Sequence, residues 1–582
     1  MFIGVRITSG DVQLRRILTA CLLSAACLGA ARAEKTTTYR LTPEVSGGVL
    51  EDLKLELSFT GDFDGSTKVE LPSKWSGSDG LWEAFHEIQA EGAKLRMAGP
   101  STVMLTHRPG AAVTVSFKIR QDFEGPISVL NGTPFRPATQ AKWFTAVGWT
   151  LFPEVDGRPN DPVAFQWGQA PEGWGMASDL DHRPVRARRI EDLLDAVVVG
   201  GERLKVVERQ AAGGRIRIAY QAGKWGFDPE KLADLQGRIA ETSSDFWKDR
   251  GEEFFVSVTP LVAPDDGVVQ YGVGLGDAFS LWATENVDEP SLRHILAHEH
   301  QHAWFPNRVG GVRGGPEEPL DYWLSEGFTD FYTLRILLRS GVWTLEDFTA
   351  DYNRILKAYS ASPVRDAPNA LVAAKFWEDR SVADLPYQRG LVVAALWDDR
   401  LRRATRGARD LDDVVLDMRD RANGPLPMRD AIGNLKASYR SLGGGSLDDD
   451  MKKLVDAGRR VMLPADLFGD CAAIRTYDRA AFDRGFDPAL TSKANGVVGG
   501  VDPQGPAFAA GLRNGMRILK REAGDNEDSS VDLVYRVQDE RGERLIRYKP
   551  QSRRTVTYQE IVLAPGMDAA KRARCARTMG GL

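Results

Sequence analysis

Alternating hydrophobic and polar residues dominate the first third of the chain. Residues 53–59 place a large apolar side chain at every second position, and residues 113–119 repeat the pattern. A period of two is that of a β-strand with one buried face and one face in water. Glycine- and aspartate-rich turns, such as residues 61–66, separate these runs. The pattern predicts a β-rich, sandwich-like N-terminal domain over residues 34–200.

The hydrophobic period changes after residue 200. Asp228 and Pro229 supply an N-cap and a proline at the first helical position, and apolar residues follow at helical spacing. Apolar runs at 254–258 and 271–275 predict strands, and acidic residues with a proline at 288–290 predict the start of another helix. Mostly helical sequence continues to about residue 460. We interpret residues 201–475 as a mixed α+β domain with a helical extension.

Strand-like sequence returns in the last hundred residues. Short apolar runs at 496–498 and 515–519 are separated by glycines. This pattern predicts a small β-rich module over residues 476–582. The whole chain is therefore expected to be a multidomain α+β protein, as its 582 residues also suggest.

The N-terminus carries an apolar run of a different kind. Arg15 and Arg16 precede apolar residues 17–30, and Ala31-Arg32-Ala33 follows. A charged start, a short apolar run and an A-x-A site are typical of a secretory signal peptide. We predict that residues 1–33 are removed by cleavage near Ala33 and that the protein is secreted or periplasmic. A lipoprotein signal ending at Cys21 is disfavoured, because it would leave almost no apolar run before the cysteine.

The net charge and the cysteines restrict the possible partners and covalent links of the chain. The net charge of −6 and the lack of a basic block argue against nucleic acid as a partner. No later run reaches the roughly 18 apolar residues of a membrane helix, so we expect no membrane span in the mature form. Once the signal peptide is removed, Cys471 and Cys575 remain, and an oxidising compartment allows them to pair. Such a bridge would tie the end of the helical region to the C-terminus.

The chemistry-bearing stretch is His298-Glu299-His300-Gln301-His302, an HExxH motif. Residues i and i+4 share one face of a helix, so His298 and His302 can bind one metal ion. Glu299 lies near that face and can act as general base on a water molecule. His300 points away, and we expect both His300 and His294 to be packed or solvent-facing.

A third ligand is needed, with the fourth position left open for water or substrate. Glu326, on the next predicted helix, is the natural candidate. Asp330 follows one turn later and can accept a hydrogen bond from the outer nitrogen of a liganding histidine. Imidazoles with a carboxylate and an open position suit zinc best, so we predict one Zn²⁺ per chain.

These motifs resemble the glycyl aminopeptidase family of gluzincin zinc metallopeptidases. The resemblance rests on residues 298–304, on Trp323-Leu-Ser-Glu326-Gly327 and on Tyr387-Gln-Arg-Gly390, which is similar to the family's Tyr-x-Lys-Gly. Residues 505–515 resemble the core of a PDZ domain. The resemblance implies a thermolysin-like catalytic domain, a C-terminal PDZ-like domain able to bind a peptide C-terminus, and Tyr387 as the donor to the oxyanion.

One segment departs from the family pattern. Relatives carry Gly-Leu-Glu-His beside the site and use a carboxylate there to hold the substrate's α-amine. This chain has Gly274-Leu275-Gly276-Asp277 instead, with the carboxylate shifted by one residue. We assign Gly274, Gly276 and Asp277 as candidate substrate-binding residues. Two alternatives stay open: Asp277 substitutes from a bent segment, or the cleft accepts extended peptides.

The sequence therefore predicts an exported zinc metallopeptidase acting on peptide or protein substrates. The resemblance implies an aminopeptidase that prefers small N-terminal residues such as glycine or alanine. An endopeptidase is the alternative within enzymes. A non-catalytic peptide-binding PDZ protein with an inactive peptidase domain is the alternative from another class, and the intact Glu299 and Tyr387 argue against it.

Overall fold

A computed structural model describes residues 36–128, 135–181, 188–211, 214–251, 253–263, 267–424, 429–525 and 528–582. The predicted signal peptide lies outside these residues. The chain forms two compact units, Met1–Lys205 and Val206–Leu582. Together they make a multidomain α+β protein, as predicted. No described helix combines the length and the apolar character that crossing a bilayer requires.

The N-terminal unit is built from β-strands, as the alternating pattern predicts. The strands are β1 (Thr37–Ser46), β2 (Val49–Thr60), β3 (Ser66–Glu70), β4 (Lys74–Trp75), β5 (Ser78–Asp79), β6 (Phe85–Glu91), β7 (Ala93–Met97), β8 (Thr102–His107), β9 (Ala112–Ile119), β10 (Ala138–Gln140), β11 (Trp143–Val147), β12 (Glu154–Val155), β13 (Val163–Trp167), β14 (Gly175–Ser178) and β15 (Val197–Gly201). Two short helices, α1 (Gly148–Leu151) and α2 (Ile190–Leu194), accompany them.

Three larger sheets divide these strands. Their orders are β13-β1-β2-β9-β6, β12-β3-β8-β7 and β10-β11-β15-β14. In β2 and β9 the alternate apolar side chains face one core, where Leu55 pairs with Phe117 and Leu57 with Val115. The period of two in the sequence therefore marks the buried face of this unit.

The second unit opens with a five-stranded sheet. Its strands are β16 (Leu204–Ala211), β17 (Gly214–Gln221), β18 (Glu253–Pro260), β19 (Gln270–Leu275) and β20 (Ala278–Ala283). The order is β16-β17-β18-β20-β19, and β19 runs antiparallel to β20 at the edge. This edge strand packs against the helix that carries the HExxH motif.

Helices cover the sheet and continue well beyond it. They are α3 (Pro229–Trp247), α4 (Glu289–Gln301), α5 (Tyr322–Ser325), α6 (Gly327–Arg339), α7 (Leu345–Ala361), α8 (Asn369–Lys375), α9 (Arg380–Ala404), α10 (Leu411–Ala422), α11 (Ala431–Ser441) and α12 (Asp448–Asp450). The 3₁₀ segments Asn307–Val309 and Gly315–Leu320 lie between α4 and α5, and a π-helical turn, Met451–Asp456, follows α12. Helices α4, α6 and α9 pack together, so their buried faces form the centre of one large core.

The C-terminal segment has two parts. Its elements are β21 (Ala472–Phe482), α13 (Pro488–Lys493), α14 (Pro506–Ala509), β22 (Arg517–Ala523), β23 (Leu533–Asp539), β24 (Gly542–Tyr548), β25 (Gln551–Leu563) and α15 (Ala569–Met579). Strands β22, β23 and β24 form a sheet over a small separate core. Strand β21 pairs with β25, and residues of this pair and of α15 join the large helical core.

The C-terminal segment is held to the helical region by a covalent link. Cys471 and Cys575, both buried, form a disulfide across a sequence separation of 104, the pairing that the sequence led us to expect. The boundaries predicted at 200 and 475, and the PDZ identity of the last module, stay predictions.

Candidate metal and active site

Helix α4 carries the HExxH motif and starts where the sequence predicts. The side chain of Asp288 accepts a hydrogen bond from the Ser291 amide at 3.0 Å and caps the helix. The helix ends at Gln301. The amides of His302 and Ala303 bond to carbonyls only three residues back, which tightens the last turn. His298 and His302 still share one face, with ring centroids 4.9 Å apart.

The two histidines converge on Glu326. His298 Nε2 lies 3.3 Å from Glu326 Oε2, and His302 Nε2 lies 3.4 Å from the same oxygen. Zinc ligands at about 2.0–2.1 Å from the metal in a tetrahedron are separated from one another by roughly 3.3–3.4 Å. The distances between these donor atoms therefore fit a zinc ion at their centre. All three side chains are largely buried. A zinc ion held by these three residues would have its fourth position for water or substrate.

The outer nitrogens of both histidines are engaged. His298 Nδ1 donates to Asp330 Oδ1 at 2.8 Å, and His302 Nδ1 donates to the Phe305 carbonyl at 3.1 Å. Since a carboxylate and a carbonyl only accept, the protons lie on Nδ1 and both Nε2 atoms present lone pairs to the same point. The structure thus brings Asp330 to the position in which the sequence places it.

Glu326 lies at a one-residue irregularity of the helix that we predicted, where the backbone keeps right-handed helical angles. Helix α5 ends at Ser325 and α6 begins at Gly327. A Cβ atom added to Gly327 would lie 2.4 Å from the Cα atom of Gly390 on α9. The backbones of α6 and α9 therefore meet at two glycines. This close approach sets Glu326 beside the helix that carries Tyr387.

Glu299 is buried between α4 and the edge strand β19. The Gly274 amide donates a hydrogen bond to its carboxylate. A Cβ atom on Gly272 would lie 2.4 Å from Glu299 Oε1, so a side chain at this position would displace the Glu299 carboxylate. Burial raises the pKa of Glu299, against the opposing effect of His298 and His302. A carboxylate that holds a proton more readily than usual suits a general base.

The structure also brings Tyr387 to this group. Its ring centroid lies 5.9 Å from that of His298. Burial, together with the charges of Glu326 and Glu299, raises the pKa of Tyr387 well above its usual value. The phenol thus stays protonated at neutral pH and can donate a hydrogen bond.

The candidate substrate-binding residues are not all at the site. Gly274 is there, because a Cβ atom on it would lie 2.6 Å from His302 Cβ. Gly276 has a φ of +51° in the turn between β19 and β20. Asp277 follows it, and its Oδ1 accepts a hydrogen bond from Arg308 Nη2 at 2.8 Å. Asp277 also lines a cavity with His300, which lies on the face of α4 opposite the two metal ligands.

Buried ionisable groups near the metal ligands hold one another in defined charge states. Although burial opposes ionisation, His302 and His298 hold the pKa of Glu326 well below its usual value. The same balance, with His294 and His298 as partners, lowers the pKa of Asp330. Both carboxylates are therefore ionised at neutral pH, as a metal ligand and its supporting hydrogen-bond acceptor should be.

Two further residues beside the site have no assigned role in our sequence interpretation. His294 Nε2 donates to Asp330 Oδ1 at 3.1 Å, and its Nδ1 donates to Asp351 Oδ2 at 2.9 Å. In the sequence, the feature that could have indicated a role for His294 is its position one helical turn before His298. Glu318 lies in the connection between His302 and Glu326.

Glu318 is half-buried, and its Oε1 accepts a hydrogen bond from the Tyr322 hydroxyl at 3.0 Å. Burial raises the pKa of Glu318, and the nearby charges of Glu326 and Asp321 raise it further against the effect of the Tyr322 hydrogen bond. Within the described part of the chain, no basic side chain forms an ion pair with it. Glu318 is thus a carboxylate near the metal ligands that lacks a cationic partner there.

An HExxH helix followed by a glutamate at the third ligand position is the pattern of gluzincin peptidases, and this site is similar to it. Residues 291–376 match the family model of the M61 glycyl aminopeptidase. This segment contains His298, His302 and Glu326. The match confirms the resemblance to the glycyl aminopeptidase family and supports a peptidase, a hydrolase, as the function of the chain.

Comparison with solved structures finds a shared fold. The chain is similar to an aminopeptidase N family protein from Idiomarina loihiensis, with 15% identity and a TM-score of 0.67 over 93% of this chain and 100% of that one. It is also similar to an M1 zinc metallopeptidase from Deinococcus radiodurans, with 18% identity and a TM-score of 0.48 over 74% and 95% of the two chains. The first likeness shows a shared fold. No curated protein sequence matches the chain.

Proposed function

We propose that this protein is a zinc-dependent metallopeptidase that hydrolyses peptide bonds with an activated water molecule. The observation that carries the proposal is the convergence of His298, His302 and Glu326 at the spacing of zinc ligands, with Glu299 beside them. When bound, zinc lowers the pKa of a water molecule and polarises the scissile carbonyl.

The chain's own residues handle the protons and the developing charge. Glu299, held by the Gly274 amide, accepts the proton of the attacking water and later delivers it to the leaving amine. Tyr387 donates a hydrogen bond to the carbonyl oxygen as it gains negative charge. Tyr387 must donate, and burial with the charges of Glu326 and Glu299 keeps its hydroxyl protonated. Glu299 must accept a proton, and the raised pKa of its carboxyl makes the carboxylate a stronger base.

The proton-transfer role is tested with Glu299→Gln. We expect kcat/KM to fall by about 10²–10⁴-fold, while one zinc ion per chain is retained. Glu289→Gln, the same change in the first turn of the same helix, should leave both values unchanged. Removal of zinc with a chelator should abolish activity, and one equivalent of zinc should restore it. Full activity of Glu299→Gln would disprove the mechanism, and a chain without zinc would disprove the site.

We further propose an aminopeptidase that prefers small N-terminal residues, in line with the matched family's description. Such an enzyme needs a carboxylate for the substrate's α-ammonium group. Asp277 already pairs with Arg308, whereas Glu318 has no ion pair with the described residues. An aromatic ring lies next to Glu318, since the Tyr322 hydroxyl donates to its carboxylate, and the Tyr322 ring packs edge-on against Phe376 at 4.7 Å between ring centroids. A carboxylate beside aromatic rings suits an ammonium ion, so we assign this role to Glu318.

Free and N-acetylated peptides distinguish this proposal from an endopeptidase. We expect cleavage of glycyl and alanyl peptides only when the amine is free. Glu318→Gln should raise KM for these peptides, and Asp277→Asn serves as the matched change at the carboxylate bound by Arg308. Equal cleavage of the acetylated peptides would support the endopeptidase. If Asp277→Asn raised KM more than Glu318→Gln did, recognition of the substrate's amine would instead be assigned to Asp277.

We also propose that the protein is exported and that its PDZ-like module binds peptides. The sequence of residues 1–33 supports secretion to an oxidising compartment, and the disulfide between Cys471 and Cys575 is consistent with one. The glycine-punctuated module that contains β22 to β24 is proposed to bind a peptide C-terminus. Mass spectrometry of the exported protein should find Glu34 as its first residue.

A further inference from the structure

His294 sits one helical turn before His298 and contacts two carboxylates. Its Nε2 lies 3.1 Å from Asp330 Oδ1, and its Nδ1 lies 2.9 Å from Asp351 Oδ2 on α7. Asp351 in turn accepts a hydrogen bond from Arg354 at 2.7 Å. A continuous chain of hydrogen bonds therefore runs from the metal ligand His298 to an exposed arginine on α7.

The Asp330 carboxylate is held by hydrogen bonds from both His294 and His298. Its Oδ1 accepts from His298 at 2.8 Å and from His294 at 3.1 Å, and these are its side-chain hydrogen bonds with the described residues. Asp330 is only 7% exposed, so water cannot readily replace a lost donor. Without His294, the carboxylate would keep a single donor and could rotate away from His298.

The same three residues could also be imagined as a second metal site, since their donor atoms lie within 4.8 Å of one another. Their separations of 2.8 and 3.1 Å are shorter than the roughly 3.3 Å between ligands of a tetrahedral zinc ion. They are normal lengths for charge-assisted hydrogen bonds. The geometry therefore favours a supporting network over a second ion.

We propose that His294 is a positioning residue of the metal centre. It fixes the Asp330 carboxylate, Asp330 orients His298, and Asp351 anchors His294 to α7. This inference rests on the proposed zinc peptidase function and extends it beyond the residues that touch the metal. Loss of a residue that supports a metal ligand typically weakens metal binding by about 10–100-fold.

The test measures zinc affinity by competition with a chromogenic chelator, using the full mature chain. His294→Asn should weaken zinc binding about 10–100-fold. Asp330→Asn should weaken zinc binding as well. If His294 acts through Asp330, the double variant should bind zinc no more weakly than Asp330→Asn alone. His86→Asn, the same change in the N-terminal unit, is the control.

Each alternative outcome is distinct. Unchanged zinc affinity of His294→Asn, or full additivity with Asp330→Asn, would overturn the proposal. Two zinc ions in the unmodified chain and one in His294→Asn would overturn it in favour of a second metal site. Should His294→Asn fail to fold, Asp351→Asn keeps the imidazole and should still weaken zinc binding, and unchanged binding would refute the proposal. An unmodified chain that binds no zinc would instead refute the proposed function.

Discussion

Individual residues at the site gain their chemical character from close neighbours. Tyr387 lies beside the carboxylates of Glu326 and Glu299, and its pKa is raised by burial and by their charges. It therefore remains a hydrogen-bond donor well into the alkaline range. The same charges would destabilise a phenolate, so Tyr387 is suited to stabilise an oxyanion and not to accept a proton.

Tyr387→Phe tests the role of this hydroxyl. We expect kcat to fall by about 10²–10³-fold, with little change in KM, because the hydrogen bond forms mainly in the transition state. Tyr439→Phe is the matched control, since the Tyr439 hydroxyl donates to the Trp397 carbonyl within the core. Steady-state kinetics on one glycyl peptide distinguish the two. An unchanged kcat for Tyr387→Phe would remove Tyr387 from the mechanism.

Glu318 should give the enzyme a pH-dependent KM. Burial and the charges of Glu326 and Asp321 raise the pKa of Glu318, so its ionised form is lost at a higher pH than for an exposed glutamate. An ammonium ion binds the ionised form. KM for free-amine peptides should therefore be low above the raised pKa and should increase as pH falls through it. In Glu318→Gln, KM should be high and lack this transition; the same transition in the variant would assign it to another group.

At the residue scale the sequence predicts what local spacing can encode. The i, i+4 spacing of His298 and His302 places both on one face of α4, and the structure brings them to Glu326. The pairing of Asp277 with Arg308 and that of His294 with Asp351 cannot be predicted in this way. Each joins residues on separate elements, and no local pattern specifies which partner a charged side chain will meet.

The element-scale contact that shapes the site is the crossing of α6 and α9. A Cβ atom on Gly390 would lie 1.9 Å from the Trp323 carbonyl oxygen and 2.7 Å from the Gly327 Cα atom. These are backbone atoms, so no side chain can move aside to make room. The glycine of the Tyr387-Gln-Arg-Gly390 segment is therefore required for the close packing that holds Tyr387 near Glu326.

Gly390→Ala should disturb both stability and activity. We expect a loss of about 1–3 kcal/mol of unfolding free energy from overpacking, together with a fall in kcat as Tyr387 and Glu326 move apart. Gly237→Ala is the control, because a Cβ atom on Gly237 in α3 meets nothing within 4 Å. It should stabilise the protein by up to about 1 kcal/mol. Denaturant unfolding and kinetics measure both effects; a stable and fully active Gly390→Ala would contradict the packing argument.

Elements with strong terminal signals are the ones that the sequence predicts best. Asp288 and Pro290 fix the start of α4, as expected from their capping chemistry. The break at Glu326 is not visible in the hydrophobic period, because residues on both sides of it are buried. The close contact of Gly327 with Gly390 beside it is a tertiary feature, which the hydrophobic period does not encode either.

Within the second unit, the end of the chain follows the small β-sheet and packs against helices of the catalytic region. The Asn353 side chain on α7 bonds to the backbone of Ile561 on β25, and Arg339 on α6 donates to the Gly580 carbonyl. These contacts span more than 200 residues of sequence. Sequence patterns predict a β-rich module in this region but not its last helix. They do not predict this return either, because partners so distant in sequence share no local signal.

The disulfide should contribute to stability without contributing to catalysis. Cys471 and Cys575 are buried, and the bridge holds α15 against α6 and α7, the helices of Asp330 and Asp351. Closing a loop of about 100 residues restricts the unfolded chain, and disulfides typically contribute about 2–4 kcal/mol.

The Cys471→Ser, Cys575→Ser double variant should thus unfold at lower denaturant concentration than the oxidised chain. Its kcat/KM well below the transition should be unchanged, because neither cysteine belongs to the metal or substrate site. Reductant should lower the unfolding midpoint of the unmodified chain and leave that of the double variant where it is. An equal midpoint for oxidised and reduced protein would mean that the noncovalent contacts of α15 suffice to hold the C-terminus in place.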